Sequence, residues 1–223
     1  MSKNKLEKFA ENETFPNFFQ PDYHKVKEEG FTLKGKWATD FFKNNHPIIL
    51  ELGCGRGEYT IGMAGLFPDT NFIGIDRKGA RMWKGCKASI ENNMQNVAFL
   101  RTQINHILYY FEKEEISEIW ITFPDPQPKR SKINKRLTSP LFLDFYRQIL
   151  KQDGIIHLKT DDDLLYAYTL EVVENMQNEL VENQNDIYAS VPVDETLKIE
   201  TYYEKMWKEE GKSIKYIKFK LKQ

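Results

Sequence analysis

The sequence predicts an α/β fold with a mostly parallel sheet and helices on both faces. From residue 47 onward, short apolar segments alternate with longer segments that have helical periodicity. Strands that alternate with helices form βαβ units, whose crossovers place helices on both faces of a parallel sheet. The 223 residues, 40% of them hydrophobic, suffice for one large domain of this class. We therefore expect an N-terminal arm or lid over residues 1–35, which are polar and irregular, and a single domain over residues 36–223.

The first half of this domain alternates strongly. The apolar run at 47–52 ends in glycines, which is typical of a buried strand. Asp76 ends the second apolar run. In chain order, the sequence predicts a strand at 47–52, a helix at 58–66, a strand at 71–75, a helix at 78–92 and a strand at 97–100.

The second half continues the pattern. Pro140 after Ser139 is typical of the first turn of a helix, and we expect Gly154 to end that helix. In the tail, apolar residues alternate with lysines, which predicts a strand with one solvated face. The remaining predictions are strands at 119–123, 155–158 and 217–221 and a helix at 162–178.

Composition excludes several classes of protein. The net charge of −1 argues against a uniformly basic nucleic-acid coat, so any basic surface must be local. Cys54 and Cys86 form no C-x-x-C pair, and the four histidines have no ligand spacing, so we expect no metal and a reducing, cytoplasmic setting. The N-terminus leads into no apolar segment, and no apolar run is long enough for a membrane span. We therefore expect neither a secretory signal nor a membrane partner.

The turn after the first strand combines three glycines with a carboxylate. Glu51 lies two residues before Gly53, and Gly55 and Gly57 follow in G-x-G-x-G spacing. Glycines at such a turn let the backbone bend sharply and let a ligand approach the main chain. The dinucleotide spacing is G-x-G-x-x-G, which makes NAD the weaker candidate. The pattern suits a cofactor with a cationic amino-acid part and no phosphate, such as S-adenosylmethionine.

Asp76 strengthens the prediction of a nucleoside cofactor. It ends the second strand, where a carboxylate can accept hydrogen bonds from both ribose hydroxyls. The alternative is a tight strand-to-helix turn with an ordinary helix-capping acid.

A proline-rich loop follows the fourth predicted strand, at the sheet edge where open parallel sheets bind ligands. Pro124, Pro126 and Pro128 are expected to hold this loop stiffly extended, because proline fixes φ and restricts the preceding residue. Asp125 lies between two of these prolines, so its carboxylate is presented in a defined position.

A basic segment, residues 129–136, comes directly after this loop. It carries five positive charges in eight residues and no acid. Such segments bind phosphate backbones, although most basic runs are simply solvated loops. The position beside a rigid acidic loop makes nucleic acid the leading substrate class.

At this point the motifs resemble those of the bacterial tRNA (guanine-N7)-methyltransferases. The most specific are Phe123-Pro124-Asp125-Pro126, Pro128-Lys129 and Lys135-Arg136-Leu137. Others occur in the family's order, and together they cover roughly residues 35–220: Gly35-Lys36-Trp37, Glu51-Leu52-Gly53, Phe72 to Ile75, Lys159-Thr160-Asp161 and Thr201-x-Tyr203-Glu204.

The resemblance implies a Rossmann-like, class I S-adenosylmethionine-dependent methyltransferase with a seven-stranded, mostly parallel sheet. It implies transfer of a methyl group to N7 of the variable-loop guanine at position 46 of tRNA. tRNA is then the macromolecular partner, and the protein is expected to be a monomer or a homodimer.

The resemblance also assigns roles to individual residues. Asp125 matches the catalytic position of the family. Asp125, Glu51 and Asp76 match cofactor-contacting positions, and we expect the three glycines and Gln103 to contact the cofactor as well. The substrate-binding positions are Lys129, Asp161, Thr201, Tyr202, Tyr203 and Glu204. The RNA-contacting segment consists of Arg130, Ser131, Lys132, Ile133, Asn134, Lys135 and Arg136.

The sequence departs from the family's pattern at four positions. Gln127 stands where the family has a tryptophan, so an aromatic stacking surface is missing there. Gln103 replaces an aspartate at the adenine end of the cofactor, and an amide can still hydrogen-bond adenine without carrying a charge. Ser131 and Asn134 stand at usually basic positions, which predicts weaker RNA affinity.

Structural roles compete with several of these assignments. Asp161 fits a helix N-cap, and Thr201 with Glu204 fits a capping box. His157 alternates with apolar residues, which favours a core histidine over a base. At the level of function, the alternatives are a small-molecule methyltransferase, which would not need the basic segment, a non-catalytic RNA-binding protein on the same scaffold and, least favoured, a dehydrogenase.

Overall fold

The computed structural model describes residues 3–189 and 192–222. The chain divides between Glu112 and Lys113 into two compact units, and each is described by itself. The described residues form four strands in each unit, eight altogether, where the resemblance implies seven. The additional strand is a two-residue strand within the predicted N-terminal arm.

The first unit contains the glycine loop. Its strands lie in the order β1-β4-β3-β2, and all neighbouring pairs are parallel. In chain order its elements are α1 (Lys3–Asn12), β1 (Phe18–Phe19), α2 (Tyr23–Glu29), a π-helical turn (Trp37–Phe42), β2 (Ile48–Leu52), α3 (Glu58–Leu66), β3 (Asn71–Asp76), α4 (Gly79–Glu91), β4 (Val97–Arg101) and a 3₁₀ helix (Ile104–Tyr109).

The three predicted strands and two predicted helices of this unit are confirmed, with ends that differ by one residue at most. The central strands are buried on both faces, as expected for a parallel sheet covered by helices. Leu50, Leu52, Ile73, Ile75 and Phe99 are fully buried and form the core of this unit.

The predicted N-terminal arm is part of the first unit. In β1, Phe18 and Phe19 pair with β4. Glu11 of α1 accepts hydrogen bonds from Trp83 Nε1 at 2.7 Å and from Lys87 Nζ at 2.9 Å, both on α4. These contacts fix the arm on α4, so it is an integral layer of the unit.

The second unit contains the proline loop and the basic segment. Its strands lie in the order β5-β6-β8-β7, with a parallel β5/β6 pair and antiparallel β6/β8 and β8/β7 pairs. Its elements are β5 (Ile116–Thr122), a 3₁₀ helix (Arg130–Lys135), α5 (Pro140–Ile149), β6 (Leu150–Thr160), α6 (Asp163–Asn175), β7 (Glu179–Gln184), α7 (Tyr202–Glu209) and β8 (Lys215–Lys220).

The predicted strands and helices of this unit are present, but their bounds differ: β5 and β6 begin three and five residues earlier than predicted, α6 ends three residues earlier, and β8 begins two residues earlier. Two further differences concern α5 and β7. Helix α5 ends at Ile149, five residues before Gly154, because strand β6 begins at Leu150 and pairs with Ile116 of β5. Strand β7 is also absent from the sequence predictions: five of its six residues are exposed, and four of the six are charged or polar. Because β8 pairs with β6 on one side and with β7 on the other, it is an inner strand of this unit, and its lysines lie opposite glutamates of β7.

Candidate active site

The predicted cofactor residues of the first unit lie at the carboxyl ends of three adjacent parallel strands. Glu51 and the glycine loop end β2, Asp76 ends β3, and Gln103 follows β4. The register pairs Leu52 with Ile75, and Asp76 with Arg101, so these ends are level. The topology therefore brings the predicted cofactor set to one edge of the first unit's sheet.

The three glycines of the loop have left-handed backbone conformations but face different surroundings. Their φ angles are +78° at Gly53, +54° at Gly55 and +72° at Gly57. A Cβ at Gly53 would meet nothing within 4 Å, and one at Gly55 only a backbone oxygen at 3.9 Å. At Gly57 it would lie 2.6 Å from the Phe99 ring. Packing therefore accounts for Gly57, whereas open space above Gly53 and Gly55 leaves room for a ligand.

Asp76 is tied to the glycine loop by backbone hydrogen bonds. Its Oδ2 accepts from Gly55 N at 3.1 Å, and its Oδ1 accepts from Lys78 N at 2.8 Å. The neighbouring Ile75 carbonyl accepts from Gly53 N at 2.8 Å. The carboxylate is thus held in place, and its remaining lone pairs can accept from ligand hydroxyls.

Glu51 is buried and serves the start of helix α3. Its Oε2 accepts from the backbone N of Thr60 at 2.8 Å and from the Thr60 hydroxyl. Gly57 is the N-cap of α3 and has no side chain to cap the helix, so Glu51 satisfies one of the helix's free N–H groups. Of the acids at this turn, Glu51 is therefore the one that has the helix-capping role of the alternative interpretation.

Gln103 lies at the rim of this set. It is exposed and precedes the 3₁₀ helix Ile104–Tyr109. The neighbouring Thr102 N donates to the Asp76 carbonyl at 3.1 Å, which links the end of β4 to the end of β3.

The Cys54 thiol lies within the glycine loop and is buried. Burial raises the pKa of Cys54 well above its ordinary value, and the carboxylates of Glu51 and Asp76 raise it further. The group therefore stays a neutral thiol and is a poor nucleophile.

These observations fit S-adenosylmethionine as the ligand of the first unit. Two open left-handed glycines let the main chain approach a ligand closely, and Asp76 offers acceptors for ribose hydroxyls. The carboxylates near the loop are compatible with a cationic amino-acid group and would repel a phosphate.

In the second unit, Asp125 is exposed in a folded turn. Its Oδ1 accepts from Gln127 N at 3.0 Å. The loop is not uniformly extended as predicted, because Phe123 and Gln127 have φ angles of +48° and +46°. Positive φ is uncommon for residues other than glycine, so contacts elsewhere must hold the loop in this shape.

Arg136 differs from its predicted role. The side chain is 4% exposed, whereas a phosphate contact requires a solvent-facing guanidinium. Its Nε donates to the Pro126 carbonyl at 3.1 Å and its Nη2 to the Gln127 carbonyl at 3.3 Å. The guanidinium carbon lies 4.3 Å from the centre of the Tyr168 ring. The basic charge at this position is therefore directed at the proline loop.

The rest of the basic segment is accessible. Residues 130–135 form a 3₁₀ helix preceded by Lys129. Within it, only Ile133 is half-buried. The exposed residues are Lys129, Arg130, Ser131, Lys132, Asn134 and Lys135.

Lys159, to which the sequence predictions assign no role, contacts Glu204, one of the predicted substrate-binding residues. Its Nζ donates to the carbonyls of Leu197 and Ile199 at 2.7 and 3.1 Å and lies 2.8 Å from the Glu204 carboxylate. Burial lowers the pKa of Lys159, and Glu204 opposes that shift. The available sequence signal was a lysine near the end of a buried strand, two residues before Asp161.

Glu204 lies in the interior. It is fully buried and also accepts from the Tyr188 hydroxyl at 2.8 Å. This differs from a substrate-binding position, which requires an accessible carboxylate. The buried pair with Lys159 instead fixes the start of α7 against the end of β6.

Thr201 is the N-cap of α7, and its hydroxyl accepts from Glu204 N at 3.1 Å. The capping interpretation is thus confirmed for Thr201, whereas the Glu204 carboxylate turns to Lys159 and Tyr188. The adjacent rings of Tyr202 and Tyr203 are exposed, with centroids 5.6 Å apart.

Asp161 is not the cap of the following helix. Asp162 takes that role and accepts from Leu165 N at 2.7 Å. Asp161 Oδ2 lies 3.2 Å from Lys212 Nζ. The helix begins one residue later than predicted, which leaves Asp161 at the carboxyl end of β6.

His157 is a core histidine, as predicted. It is stacked on Trp120 with ring centroids 3.8 Å apart, and its Nδ1 lies 2.8 Å from the Tyr216 hydroxyl. Burial lowers the pKa of His157, although Glu118 opposes the shift. The imidazole is therefore neutral at pH 7.

The described residues were also expected to hold no metal ion and no membrane span. Residues 3–189 and 192–222 contain no cluster of three or more His, Cys, Asp or Glu side chains suited to a metal ion. In the same ranges, no helix has the length and apolar character to cross a membrane.

Comparisons with known sequences give one consistent result. A family model described as "Putative methyltransferase" matches residues 45–217. A protein of Christiangramia forsetii named tRNA (guanine-N(7)-)-methyltransferase is 52% identical over 222 residues, which is 99% of each chain. A protein of the same name from Bacteroides thetaiotaomicron is 52% identical and covers 100% of this chain and 88% of its own.

Solved structures agree on the fold. The 16S rRNA methyltransferase KamB has a TM-score of 0.63 at 13% identity, over 82% of this chain and 91% of its own. A structure titled as an antibiotic-related methyltransferase has a TM-score of 0.60 at 15% identity, over 81% and 90%. At these identities the likeness concerns the fold alone, and it confirms the predicted Rossmann-like methyltransferase class.

Proposed function

Because the chain belongs to the tRNA (guanine-N7)-methyltransferase family and is an S-adenosylmethionine-dependent transferase acting on N7 of guanine in tRNA, we propose that its acceptor is the variable-loop guanine at position 46. We further propose that Asp125 is its catalytic residue. The second proposal rests on one observation: the exposed Asp125 carboxylate accepts a hydrogen bond from the main-chain N–H of Gln127, in a loop at the carboxyl end of β5.

The chemistry requires little of an acid or base. Guanine N7 carries a lone pair and no proton, so no group has to deprotonate the nucleophile. When bound, S-adenosylmethionine supplies the methyl group on a sulfonium sulfur. The protein must bring N7 into line with that methyl group and stabilise the positive charge that develops on the guanine ring.

Asp125 suits both tasks. One carboxylate oxygen is engaged with Gln127 N, and the group is exposed, so its other lone pairs can accept from guanine N1–H and N2–H. Adenine lacks these two donors, so the same contact selects guanine. A fixed anion near the ring also stabilises the methylated cation.

The remaining residues divide between the two units. In the first unit, Glu51, Asp76, Gln103 and the main chain at the three glycines are proposed to contact the cofactor, and Glu51 acts also through α3. In the second, Lys129, Arg130, Lys132 and Lys135 are proposed to bind phosphates, since their side chains are exposed. Ser131, Ile133 and Asn134 are proposed to touch the RNA between these charges.

Asp161 and the start of α7 complete the proposed substrate surface. Asp161 follows β6, the parallel neighbour of β5. Tyr202 and Tyr203 present exposed rings on which a base can stack, in place of the tryptophan missing at Gln127. Thr201 acts here by capping the helix that carries them. A tRNA-modifying enzyme of this kind is proposed to work in the cytoplasm, as a monomer or homodimer.

The test of Asp125 is methyl transfer to tRNA under saturating conditions. We expect Asp125→Ala to lower turnover by roughly 100-fold or more and to leave S-adenosylmethionine affinity nearly unchanged. Asp153→Ala, an exposed carboxylate of the same unit, is the matched control and should turn over normally. Normal turnover of Asp125→Ala would contradict the assignment.

The acceptor is tested with tRNA transcripts that differ only at position 46. The transcript with guanine should yield 7-methylguanosine on nucleoside analysis, and the transcript with adenine should yield none. Equal yields from both transcripts would show that another guanine is the acceptor, while the enzyme class would stand.

A further inference from the structure

We propose that Arg136 is a positioning residue for the reaction: it holds the Asp125 loop in its working shape and does not bind tRNA phosphate. This inference rests on the proposed role of Asp125. It reassigns a residue that the basic segment's composition places among the RNA contacts, and it starts from the burial of that residue.

The guanidinium of Arg136 hydrogen-bonds to the main chain of the proline loop. Its Nε and Nη2 donate to two consecutive carbonyls, those of Pro126 and Gln127, at 3.1 and 3.3 Å. Its flat face lies over the Tyr168 ring of α6 at 4.3 Å. Two donors in a fixed fork orient both peptide groups at once, which a single ammonium group cannot do.

The clamped residues are those that set the Asp125 carboxylate. Gln127 N donates to Asp125 Oδ1 at 3.0 Å, and Gln127 has a φ of +46°. A glutamine in the left-handed region needs contacts that hold it there. Arg136 provides such a contact by donating to the Gln127 carbonyl, so the main-chain N–H of Gln127 stays directed toward Asp125.

Arg136 is itself well anchored. Its backbone N donates to the Ile133 carbonyl at 3.0 Å, and its carbonyl accepts from Ser139 N at 3.0 Å. The residue therefore ends the basic 3₁₀ helix and leads into α5. Because its side chain reaches back to the proline loop, one residue links the phosphate-binding segment to the Asp125 loop.

The charge of Arg136 is not committed to an acid. Among the ion pairs of residues 3–189 and 192–222, none includes this residue. Burying a guanidinium is unfavourable unless it has compensating contacts, and here two carbonyl oxygens and an aromatic face supply them. The arrangement makes sense for a group that shapes a loop.

The first test separates turnover from binding. We expect Arg136→Met to lower kcat roughly 10- to 100-fold through a small displacement of Asp125, with the KM for tRNA and its salt dependence unchanged. The contrasting variant is Lys135→Met, the exposed neighbour, which should raise that KM and reduce the salt slope by about one charge. An Arg136→Met variant that behaves like Lys135→Met would overturn the inference.

A double variant tests whether Arg136 acts through Asp125. In the Asp125→Ala background, Arg136→Met should lower kcat by less than about twofold, because there is no longer a carboxylate to position. A further loss equal to that of the single variant would overturn the inference. The two proposals also fail separately: normal turnover of Asp125→Ala contradicts the role of Asp125, whereas a strong loss there with normal turnover of Arg136→Met contradicts only the role of Arg136.

Arg136→Lys covers the case in which the methionine variant does not fold. It keeps the charge and most of the stem but loses the fork, so kcat should still fall, by roughly 10-fold. Hydrogen exchange at the Gln127 amide should become faster in this variant than in the wild type. Wild-type kcat together with wild-type exchange would overturn the inference.

Discussion

The glycine loop of the first unit and the proline loop of the second solve the same problem in different ways. Each follows a parallel strand and contains residues with positive φ, and a main-chain N–H of each donates to a carboxylate: that of Asp76 at the end of β3 in the first case and that of Asp125 within the loop in the second. In the glycine loop the residues with positive φ are Gly53, Gly55 and Gly57. In the proline loop they are Phe123 and Gln127, which carry side chains.

The difference lies in where the information for each shape resides. Glycine adopts positive φ freely, and the first loop is closed by hydrogen bonds to the end of β3, its neighbour in the sheet. The second loop holds strained residues, at roughly 1–3 kcal/mol each, and depends on the side chain of Arg136, which lies nine residues after Gln127. The glycine loop should therefore be sensitive to substitution of its own glycines. The proline loop should be sensitive to substitution of Arg136, which holds it by hydrogen bonds.

The largest expected effect on stability is that of Gly57→Ala. An alanine there adopts an unfavourable φ of +72°, and its Cβ would lie 2.6 Å from the Phe99 ring. Left-handed strain of about 1–2 kcal/mol and overpacking of about 1–3 kcal/mol give a loss of roughly 3 kcal/mol in the free energy of unfolding. Urea denaturation measures this loss.

Gly53→Ala is the matched control, because its φ of +78° is as strained but nothing lies within 4 Å of the added Cβ. We expect a loss of only about 1–2 kcal/mol. The same substitution should weaken S-adenosylmethionine binding in calorimetry by filling the open space. Equal destabilisation by both variants would show that φ, and not the contact with Phe99, decides the residue at position 57.

Sequence reasoning predicted the first loop well, since its determinants lie close together in the chain. The strand that contains Glu51, the three glycines and the aspartate that ends β3 form a pattern whose geometry follows from backbone chemistry. The buried strands were predicted for the same reason, because apolar runs of that length have few other structures available.

The second unit was predicted less completely, because its site depends on long-range contacts. Arg136 looks like one more basic residue, and only the fold shows that its side chain is buried. Glu204 reads as a capping acid until Lys159, 45 residues away, is found beside it. Strand β7 has no apolar alternation, and only the fold shows that its Glu179 and Glu182 lie opposite Lys220 and Lys218 of β8.

Substitutions in the exposed part of the basic segment should weaken tRNA binding, unlike substitution of Arg136. The double variant Lys132→Met with Lys135→Met removes two exposed charges, both from the 3₁₀ helix. We expect weaker tRNA binding and a plot of log Kd against log salt that is flatter by about two charges. Filter binding from low to moderate salt gives the slope, and an unchanged slope would mean that tRNA phosphates contact another surface.

The smallest effect on stability is expected at Gln127. It measures the backbone strain at this residue, which the hydrogen bond from Arg136 opposes. Gln127→Gly relieves a φ of +46°, but glycine also loses more backbone freedom on folding, so the free energy of unfolding should change by less than about 1 kcal/mol. Gln127→Ala keeps the strain and should be less stable than the glycine variant by about 1 kcal/mol. Both variants lack the amide side chain, so their difference, measured by urea denaturation, isolates the backbone. An alanine variant as stable as the glycine variant would show that the loop is unstrained, and the contrast with the glycine loop would then rest on Arg136 alone.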